Sequence, residues 1–290
     1  MTVLIVSSTQ DPASTNIKKG LLKNSLWEET DTFFDNLVYK NSNYKNVVLV
    51  TINDKTILHE GIEKEVKDGL GITPKQIIYV SRHRSKTGKP TLTTHPIGNY
   101  GEAIFGGETK TLTMSSPRLM TCLLKLLKKN ATKAKLYHHV CFEVTHHGPH
   151  LTTPTLFVEV GSTEEEWVKE WPAEVVANSV LALLKTYSYE EDMPKNTPIL
   201  IGIGGGHYAP RFTEMVFEKN VAFGHMIPSY HIKDGNIDIE MIRKAIDATP
   251  NASGAYIHKK SLKKSQVREY KEICEELDFP VFSSKEFEDL

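Results

Sequence analysis

Apolar runs of strand length recur along the chain, and segments with helical periodicity separate them. Strands that are buried on both faces read as continuous apolar runs, and those of four to eight residues predict strands here. The predicted strands of the N-terminal half are TVLIVSS (2–8), NVVLVTI (46–52), IIYVS (77–81), YHHVCFEVTHH (137–147) and PTLFVEVG (154–161). The segment SPRLMTCLLKLLKKN (116–130) instead has the spacing of an amphipathic helix.

From Pro198 onward, strand and helix patterns alternate regularly. The order is strand PILIGIGGG, helix PRFTEMVFEKN, strand VAFGHMIP, helix DIEMIRKAIDAT, strand GAYIHK, helix SQVREYKEICEEL and strand PVFS. Such alternation is typical of a parallel sheet with helices on both faces. We therefore predict an α/β fold, a three-layer α/β/α sandwich with a mainly parallel mixed sheet, formed by residues 1–290 as a single domain.

Two helix starts carry recognisable capping residues. Asp11 followed by Pro12 predicts an N-cap and a first helical residue. Ser162 and Glu165 have the spacing of a capping box, which predicts a helix that runs to Tyr187 and is kinked or restarted at Pro172.

Composition narrows the classes of function. The 290 residues carry a formal net charge of −1, so a global basic field for nucleic-acid binding is absent and any such contact must be local. Cys122, Cys141 and Cys274 form no CxxC pair, and neither a signal peptide nor an apolar run long enough to span a membrane is evident. We expect a cytoplasmic protein whose Cys141, in the middle of a strand, is structural.

The segment 82–114 does not follow the alternation. It contains five glycines and no long apolar period, and irregular segments of about thirty residues inside a compact domain are usually functional or disordered. It also carries His83, His95, Arg82 and Arg84. We predict an ordered loop that builds a site.

Histidines and acidic residues follow several of the predicted strands. They are His83 after IIYVS, His146 and His147 after CFEVT, Glu159 near the end of LFVEV, His207 after ILIGIGGG and His225 after VAFG. In open α/β sheets ligands bind outside the carboxyl ends of the strands, so these side chains are expected to converge there.

This set of residues allows two kinds of hydrolytic chemistry. Imidazoles and a carboxylate are suitable zinc ligands, and an open position would hold an activated water. Alternatively, one histidine acts as general base beside a backbone oxyanion hole without metal. The turn Gly204, Gly205 and Gly206 precedes a predicted helix and suits an anion cradle, although its spacing is not that of a dinucleotide-binding loop. The alternative is a flexible turn that only allows the strand and the helix to pack closely.

Three long motifs also carry a resemblance to a known family. SRHRSKTGKPTLTTHPIGNYG, EVTHHGPHLTTPTLFVEVGSTEEEW and GIGGGHYAPRFTEM, in this order, resemble the archaeal and plant-type D-aminoacyl-tRNA deacylases. The resemblance implies hydrolysis of the ester that joins a D-amino acid to tRNA, a phosphorylase/hydrolase-like fold, and dependence on zinc. It marks as motif positions His83, Ser85, His95, Gly98 through Gly101, Glu143, His146, His147, Gly148, Glu159, Gly205, Gly206 and His207.

On these grounds we assign expected roles. The predicted catalytic residues are His83, His95, His146, His147 and Glu143. The predicted substrate-binding residues are Arg82, Ser85, Gly98, Asn99, Gly101, Gly204, Gly205, Gly206 and His207. The predicted metal ligands are His83, His147, Glu159 and His207, with His150 only a neighbour of the site.

Several further expectations concern the substrate. The glycines Gly205 and Gly206 are predicted to exclude an L side chain by forming a wall of backbone. The basic runs HKKSLKK (258–264) and LKLLKKN (124–130) could each contact acceptor-stem phosphates. A zinc-dependent peptidase or amidohydrolase and a nucleoside phosphorylase-like enzyme remain alternatives, and we expect a monomer without an obligate protein partner.

Overall fold

An eight-stranded and a four-stranded sheet organise the computed structural model, which describes residues 2–44, 46–187 and 194–290. The larger sheet contains β1 (Thr2–Ser8), β2 (Trp27–Phe33), β3 (Asn36–Asn41), β4 (Val47–Ile52), β5 (Pro74–Arg84), β6 (Thr91–His95), β7 (His139–Phe142) and β8 (Thr155–Ser162). The smaller sheet contains β9 (Ile199–Ile203), β10 (Ala222–Ile227), β11 (Gly254–Ile257) and β12 (Val281–Phe282).

Helices connect most of these strands. They are α1 (Pro12–Lys23), α2 (Ile62–Leu70), α3 (Pro117–Lys133), α4 (Glu164–Trp167), α5 (Glu170–Thr186), α6 (Pro210–Glu218), α7 (Ser229–Lys233), α8 (Ile239–Asp247) and α9 (Lys264–Glu276). Helix α1 begins as predicted, because the Asp11 side chain accepts a hydrogen bond from Ser14 N and Pro12 occupies the first turn.

The larger sheet is mixed, in the order β2-β3-β4-β1-β5-β8-β6-β7. Strands β4, β1, β5 and β8 are parallel, whereas β6 runs antiparallel to β8 and parallel to β7. Strands β2 and β3 form an antiparallel hairpin at one edge. The hairpin was not predicted, because five of the seven residues of β2 are exposed and lack an apolar run.

Each face of the larger sheet has its own apolar core. One face carries Val3, Leu49, Ile78 and Val158, which belong to the same buried cluster as residues of α1, α3 and α5. The other face carries Leu4, Val6, Tyr79 and Phe157, and Ile62 and Val66 of α2 pack there. Because successive strand residues alternate between faces, continuous apolar strands such as β1 supply both cores at once. The predicted three-layer α/β/α arrangement is confirmed.

The smaller sheet confirms the alternation predicted after Pro198. Its strands are all parallel, in the order β10-β9-β11-β12. Phe212 and Met215 of α6 lie on one side of it. They belong to the same buried cluster as the residues that pack between the larger sheet and helices α1, α3 and α5. Residues of α8 and α9, such as Met241 and Tyr270, pack on its other side. The division of the chain into domains stays a prediction.

Two local predictions need correction. Ser162 does not cap a helix, because it is the last residue of β8 and its hydroxyl donates to Lys89 O at 2.5 Å. The predicted restart of the helix near Pro172 is confirmed, because α4 ends at Trp167 and α5 begins at Glu170, which places Pro172 in its first turn. Within the predicted loop 82–114, residues 82–84 continue β5 and Thr91–His95 form β6.

Candidate hydrolytic site

The predicted polar residues meet on one face of the larger sheet. Strand register aligns His83 with Gly161, Ser81 with Glu159, and His95 with Phe157. Alternate residues of a strand and directly paired residues share a face, so His83, Glu159 and His95 all lie on the face opposite α1, α3 and α5. Because β6 is antiparallel, the site spreads across this face and does not follow a common carboxyl edge, which corrects the expectation drawn from the strand ends.

The segment after β7 returns over the same face. Glu143 N donates to Thr94 O at 3.2 Å, and His146 forms a parallel bridge with Ile97. His147 adopts φ of 47°, a left-handed conformation that histidine tolerates better than most side chains. A Cβ at Gly148 would lie 2.2 Å from Gly107 N, so only glycine allows this close approach of the two loops.

The smaller sheet contributes the last wall of the site. His207 lies in the loop between β9 and α6, and its carbonyl oxygen accepts a hydrogen bond from Val144 N at 2.9 Å. Thr145 N likewise donates to Met226 O of β10 at 3.0 Å. These backbone hydrogen bonds bring the loop after β9 of the smaller sheet next to the face of the larger sheet that carries His83 and Glu159.

Three imidazoles share one hydrogen-bonding arrangement. Nδ1 of His95 lies 3.1 Å from Pro96 O, Nδ1 of His146 lies 2.8 Å from Val144 O, and Nδ1 of His147 lies 2.6 Å from Gly148 O. A carbonyl can only accept, so each Nδ1 carries a proton, and a ring that is neutral then presents the lone pair of Nε2. One ligand atom from each of the three lies within 4.8 Å of the others. This geometry could hold a metal ion.

A second group surrounds the buried carboxylate of Glu143. Its Oε2 lies 3.0 Å from His83 Nδ1 and 2.9 Å from His207 Nε2. On the other side of the His83 ring, Nε2 lies 3.1 Å from the hydroxyl of Tyr208. One ligand atom from each of Glu143, His83 and His207 also lies within 4.8 Å of the others, and the same holds for the set His95, Glu143 and Glu159.

Burial and neighbouring charges separate the protonation states of these groups. Burial, together with His95, lowers the pKa of His147 to about 3 and holds the pKa of His146 well below its usual range. Burial also opposes charge on His83, but the adjacent Glu143 outweighs it and raises the pKa of His83 to about 10. Despite its burial, Glu143 has a pKa well below the usual range because His83 and His207 stabilise its charge. Burial also opposes charge on His95, but Glu159 outweighs it and raises the pKa of His95, so the site combines the neutral rings of His146 and His147 with ion pairs.

The cluster opens into a cavity of about 440 Å³. Its wall is formed by Gln10, Asp11, Lys55, Thr56, Ile57, Ser81, Arg82, His83, Arg84, Phe105, His146, His147, Glu159 and His207. The guanidinium groups of Arg82 and Arg84 lie 4.9 and 4.7 Å from the ring centre of Trp167, which orients both cations. Phe105 belongs to the loop 82–114 that was predicted to build a site, although the residue itself was not singled out. Lys55, Thr56 and Ile57 were not predicted, because nothing local in the sequence marks a loop that approaches the site only in the folded chain.

Several predicted substrate residues lie outside the cavity wall. A Cβ at Gly98 would lie 2.7 Å from Leu112, and one at Gly101 would lie 3.0 Å from Asn236, so both glycines are packed against protein. The Asn99 side chain donates to Gly106 O and Glu108 O and orders the loop. Ser85 hydrogen-bonds with Thr87. Their substrate roles stay predictions.

The glycine turn after β9 faces the smaller sheet. Gly204 N donates to Ile227 O, and Gly205 N is shared by the hydroxyls of Ser229 and Ser261. Neither amide is free for an oxyanion, and a Cβ at Gly206 would meet open space. None of the three glycines lines the cavity.

Two other histidines do not join the cluster. His225 lies inside β10, where its ring is fully buried between Thr145 Oγ1 and Thr113 O, so the expectation that it follows a strand was wrong. His150 is outside the cavity wall, and its backbone amide donates to Glu60 at 2.8 Å. The four residues predicted as one ligand set therefore divide, since His147 groups with His95 and His146 while His83 and His207 group with Glu143.

A family model and several known proteins match this chain along most of its length. The model of the family described as D-aminoacyl-tRNA deacylase matches residues 70–282. A protein named D-aminoacyl-tRNA deacylase from Thermococcus onnurineus is 38% identical over 277 residues, which is 94% of this chain and 97% of the relative. The protein of the same name from Pyrococcus horikoshii is 39% identical over 229 residues, or 78% and 80% of the two chains. A crystal structure described as a conserved protein of unknown function has a TM-score of 0.86 at 30% identity, covering 99% of this chain and 98% of that one.

Proposed function

The chain belongs to the D-aminoacyl-tRNA deacylase family, and from this premise we propose that the histidine and glutamate cluster hydrolyses the ester between a D-amino acid and tRNA with the help of bound zinc. The products are the free D-amino acid and tRNA. The activity itself agrees with the name of relatives that match nearly the whole chain. The site residues and the metal are our assignment.

One observation carries the metal assignment. His95, His146 and His147 each donate Nδ1–H to a backbone carbonyl, which leaves the three Nε2 atoms as the possible metal ligands. Such hydrogen bonds orient histidine ligands and fix their tautomer. His95 Nε2 is fully buried without a well-formed hydrogen bond among the described residues, since its contact with Glu159 Oε2 is 3.5 Å long, and against the effect of burial this carboxylate raises the pKa of His95. A buried acceptor without a partner is costly unless a cation or a water satisfies it.

Three imidazoles fit the requirements of a catalytic zinc site, which keeps an open position. When bound, zinc supplies Lewis-acid chemistry that makes a water molecule nucleophilic near neutral pH. The low pKa values of His146 and His147 keep both rings neutral and available as ligands. Glu159 lies 3.5 Å from His95 Nε2, so its carboxyl group would lie beside the ion.

The second group is suited to proton transfer. Glu143 Oε2 lies 3.0 Å from His83 Nδ1, and the Tyr208 hydroxyl lies 3.1 Å from His83 Nε2 on the other side of the ring. A carboxylate that orients an imidazole is the usual support of a histidine general base or acid. Because Glu143 raises the pKa of His83 to about 10 and so keeps the ring protonated, we assign to His83 the donation of a proton to the leaving ribose oxygen, after which the neutral ring regains a proton from the water that is consumed. His207, from the smaller sheet, contacts the same carboxylate oxygen of Glu143 at 2.9 Å and forms the opposite side of the site.

The cavity suits the aminoacyl end of the substrate. Its volume of about 440 Å³ lies within the range of small-ligand sites. Arg82, Arg84 and Lys55 add positive charge to its wall, which favours the phosphate of the terminal nucleotide. The hydroxyl group next to the scissile ester on the terminal ribose could assist the same proton transfer.

Single-turnover assays with D-tyrosyl-tRNA and L-tyrosyl-tRNA test the proposal. We expect cleavage of the D ester, slow or no cleavage of the L ester, and loss of activity after chelation that zinc restores. Elemental analysis of the purified protein should find about one zinc ion per chain if His83, Glu143 and His207 act in proton transfer, and two if they form a second metal site. Activity that survives complete metal removal would refute the zinc assignment while leaving the hydrolysis intact.

The other expectations about this protein remain predictions. The family match argues against the peptidase and phosphorylase alternatives, which neither relative's name supports. Within the described residues, no helix is both long and apolar enough to cross a membrane. A cytoplasmic location and a monomeric state are our proposals, and size-exclusion chromatography with light scattering tests the second.

A further inference from the structure

We propose that a basic cleft on the smaller sheet binds the sugar-phosphate backbone of the tRNA just upstream of the terminal nucleotide. We call it the basic cleft, and it is defined by Arg211, Glu214, Tyr256, His258, Lys259 and Lys260. The inference rests on the proposed function and adds to it a second contact site for the same substrate. The volume of the cleft is about 750 Å³, larger than that of the catalytic cavity.

The position of the basic cleft is that of a ligand site in open parallel sheets. Strand β9 connects through α6 to β10 on one side, and the chain then crosses to β11 on the other side. This reversal between β9 and β11 is a topological switch point, and ligands bind outside the carboxyl ends of the strands there. Pro210 and Arg211 follow β9, and His258 through Lys260 follow β11, so both sides of the switch point line the cleft.

The charge of the cleft favours an anion. Lys259 and Lys260 are exposed and form no ion pair with any other described residue. Arg211 donates to Tyr256 Oη at 3.0 Å and to Glu214 at 2.5 Å, and Glu214 is the one carboxylate in the wall. Three cations therefore face a single acid in a protein whose overall charge is −1. This local excess is what a neutral protein needs to contact phosphates.

Aromatic residues complete the pattern. Tyr256 and Phe282 lie in the wall of the cleft, and the guanidinium of Arg211 is 5.9 Å from the centre of the Tyr256 ring. His258 Nδ1 is buried without a hydrogen-bond partner in the described part of the chain. A groove that combines cations with aromatic rings is typical of sites for single-stranded nucleic acid, in which phosphates pair and bases stack.

The cleft is connected to the catalytic cavity by one short loop. His207 contacts Glu143 in the cavity, and Arg211 in the cleft follows it by four residues. Four consecutive Cα steps of about 3.8 Å place the two within roughly 15 Å of each other. Successive nucleotides of a stacked strand advance by about 3.4 Å, so the cleft is in reach of phosphates a few nucleotides upstream of the ester. The single-stranded end of the tRNA is thus the segment that fits.

The other basic run lies elsewhere. Lys128 and Lys129 are exposed residues of α3, which packs on the face of the larger sheet opposite the catalytic cluster. Of the two runs considered from the sequence, only residues 258–264 adjoin a cleft connected to the site. The pair Lys128 and Lys129 therefore provides a matched control of equal charge.

The test compares the double variant K259Q/K260Q with K128Q/K129Q. Steady-state kinetics are measured with D-tyrosyl-tRNA between 50 and 300 mM salt, and again with the D-tyrosyl ester of adenosine, which has no upstream phosphate. Two lost contacts to a single strand remove a slope of about 1.4 in log KM against log salt, which corresponds to a roughly 25-fold higher KM at 0.1 M salt. The kcat value and the cleavage of the adenosine ester should match those of the wild type.

The outcomes separate this inference from the proposed function. Equal losses on tRNA and on the adenosine ester would overturn it, because the effect would then arise in the catalytic cavity. An unchanged KM and salt slope in K259Q/K260Q, or the same change in K128Q/K129Q, would also overturn it. Inhibition of the tRNA reaction by free 5′-AMP that K259Q/K260Q abolishes would assign the cleft to a mononucleotide and refute the strand contact. Failure of the wild type to cleave either D ester would instead refute the proposed function.

Discussion

Replacement of His147 by Asn tests the metal assignment without depending on catalysis. Asn tolerates the left-handed conformation that His147 adopts at φ of 47°, so the backbone should be retained while the imidazole is lost. The shorter amide cannot reach the position of Nε2. Any loss of zinc binding can therefore be attributed to the ring and not to a rearranged turn.

The expected magnitude follows from binding linkage. Zinc at 100 times its dissociation constant stabilises the folded protein by about 2.7 kcal/mol. If loss of one ligand weakens binding about 100-fold, the same zinc concentration contributes only about 0.4 kcal/mol. The unfolding entropy of a chain of 290 residues is about 0.6 kcal/mol/K, so the difference of about 2.3 kcal/mol corresponds to roughly 4 °C in Tm.

The assay is thermal unfolding of chelator-treated protein during titration with zinc chloride. We expect a large upward shift of Tm for the wild type and a small one for H147N. His150→Asn is the matched control, because His150 lies three residues further along the same turn but outside the cavity wall. An H147N protein that keeps the full zinc shift, or an H150N protein that loses it, would refute the reasoning about the three imidazoles.

Three further substitutions test other contacts of the site and fold. Tyr208→Phe removes the hydroxyl 3.1 Å from His83 Nε2 and should lower kcat/KM about tenfold, or ~1.4 kcal/mol, without changing Tm; an unchanged kcat/KM would exclude a role in proton transfer. Gly205→Ala should destabilise the protein by about 1 to 3 kcal/mol because φ is 98°, whereas Gly206→Ala should not, and both should retain the preference for D over L esters in paired hydrolysis assays. Loss of that preference would instead support the prediction from the sequence that Gly205 and Gly206 exclude an L side chain. Asp11→Ala removes the cap of α1 and the acceptor of Arg82 N at 2.8 Å, and should lower the urea unfolding free energy by about 2 to 4 kcal/mol; a loss under about 1 kcal/mol would contradict this.

The sequence predicted the elements whose burial is continuous. Strands β1, β4 and β8 are buried along almost their whole length, and each was predicted within about one residue of its observed bounds. Such runs are local signals, since they need no knowledge of neighbouring strands. The hairpin of β2 and β3 lacked this signal because most of its residues face solvent.

Pairing order could not be predicted in the same way. The insertion of β6 antiparallel to β8 depends on contacts between residues about sixty-six positions apart, such as Thr93 with Glu159. This pairing places His95 on the same face as Glu159 and His83. The motifs predicted that these residues act together, but only the register explains how residues at different strand ends meet over one face.

The glycine turn after β9 is a case in which a local pattern predicted a binding site and the amides are occupied by protein groups. Three glycines between a strand and a helix predicted an anion cradle, yet the amides of Gly204 and Gly205 are taken by Ile227 O and by two serine hydroxyls. The positive φ of both residues is a requirement of the fold. A glycine pattern indicates close backbone approach, and the partner of that approach is decided by tertiary packing.

Assembly of the site depends on the docking of the two sheets. The larger sheet supplies His83, His95 and Glu159, whereas His207 comes from the smaller one and shares the carboxylate of Glu143 at 2.9 Å. A buried carboxylate is unstable unless cations and hydrogen bonds compensate its desolvation. Glu143 contacts His83 of the larger sheet and His207 of the smaller one, so it obtains the full compensation only when both sheets are in place. Formation of the histidine and glutamate cluster and docking of the smaller sheet therefore stabilise each other. The same loop extends from His207 to the basic cleft. If the cleft binds the tRNA strand as proposed, the position of that strand is therefore coupled to the position of His207 beside Glu143.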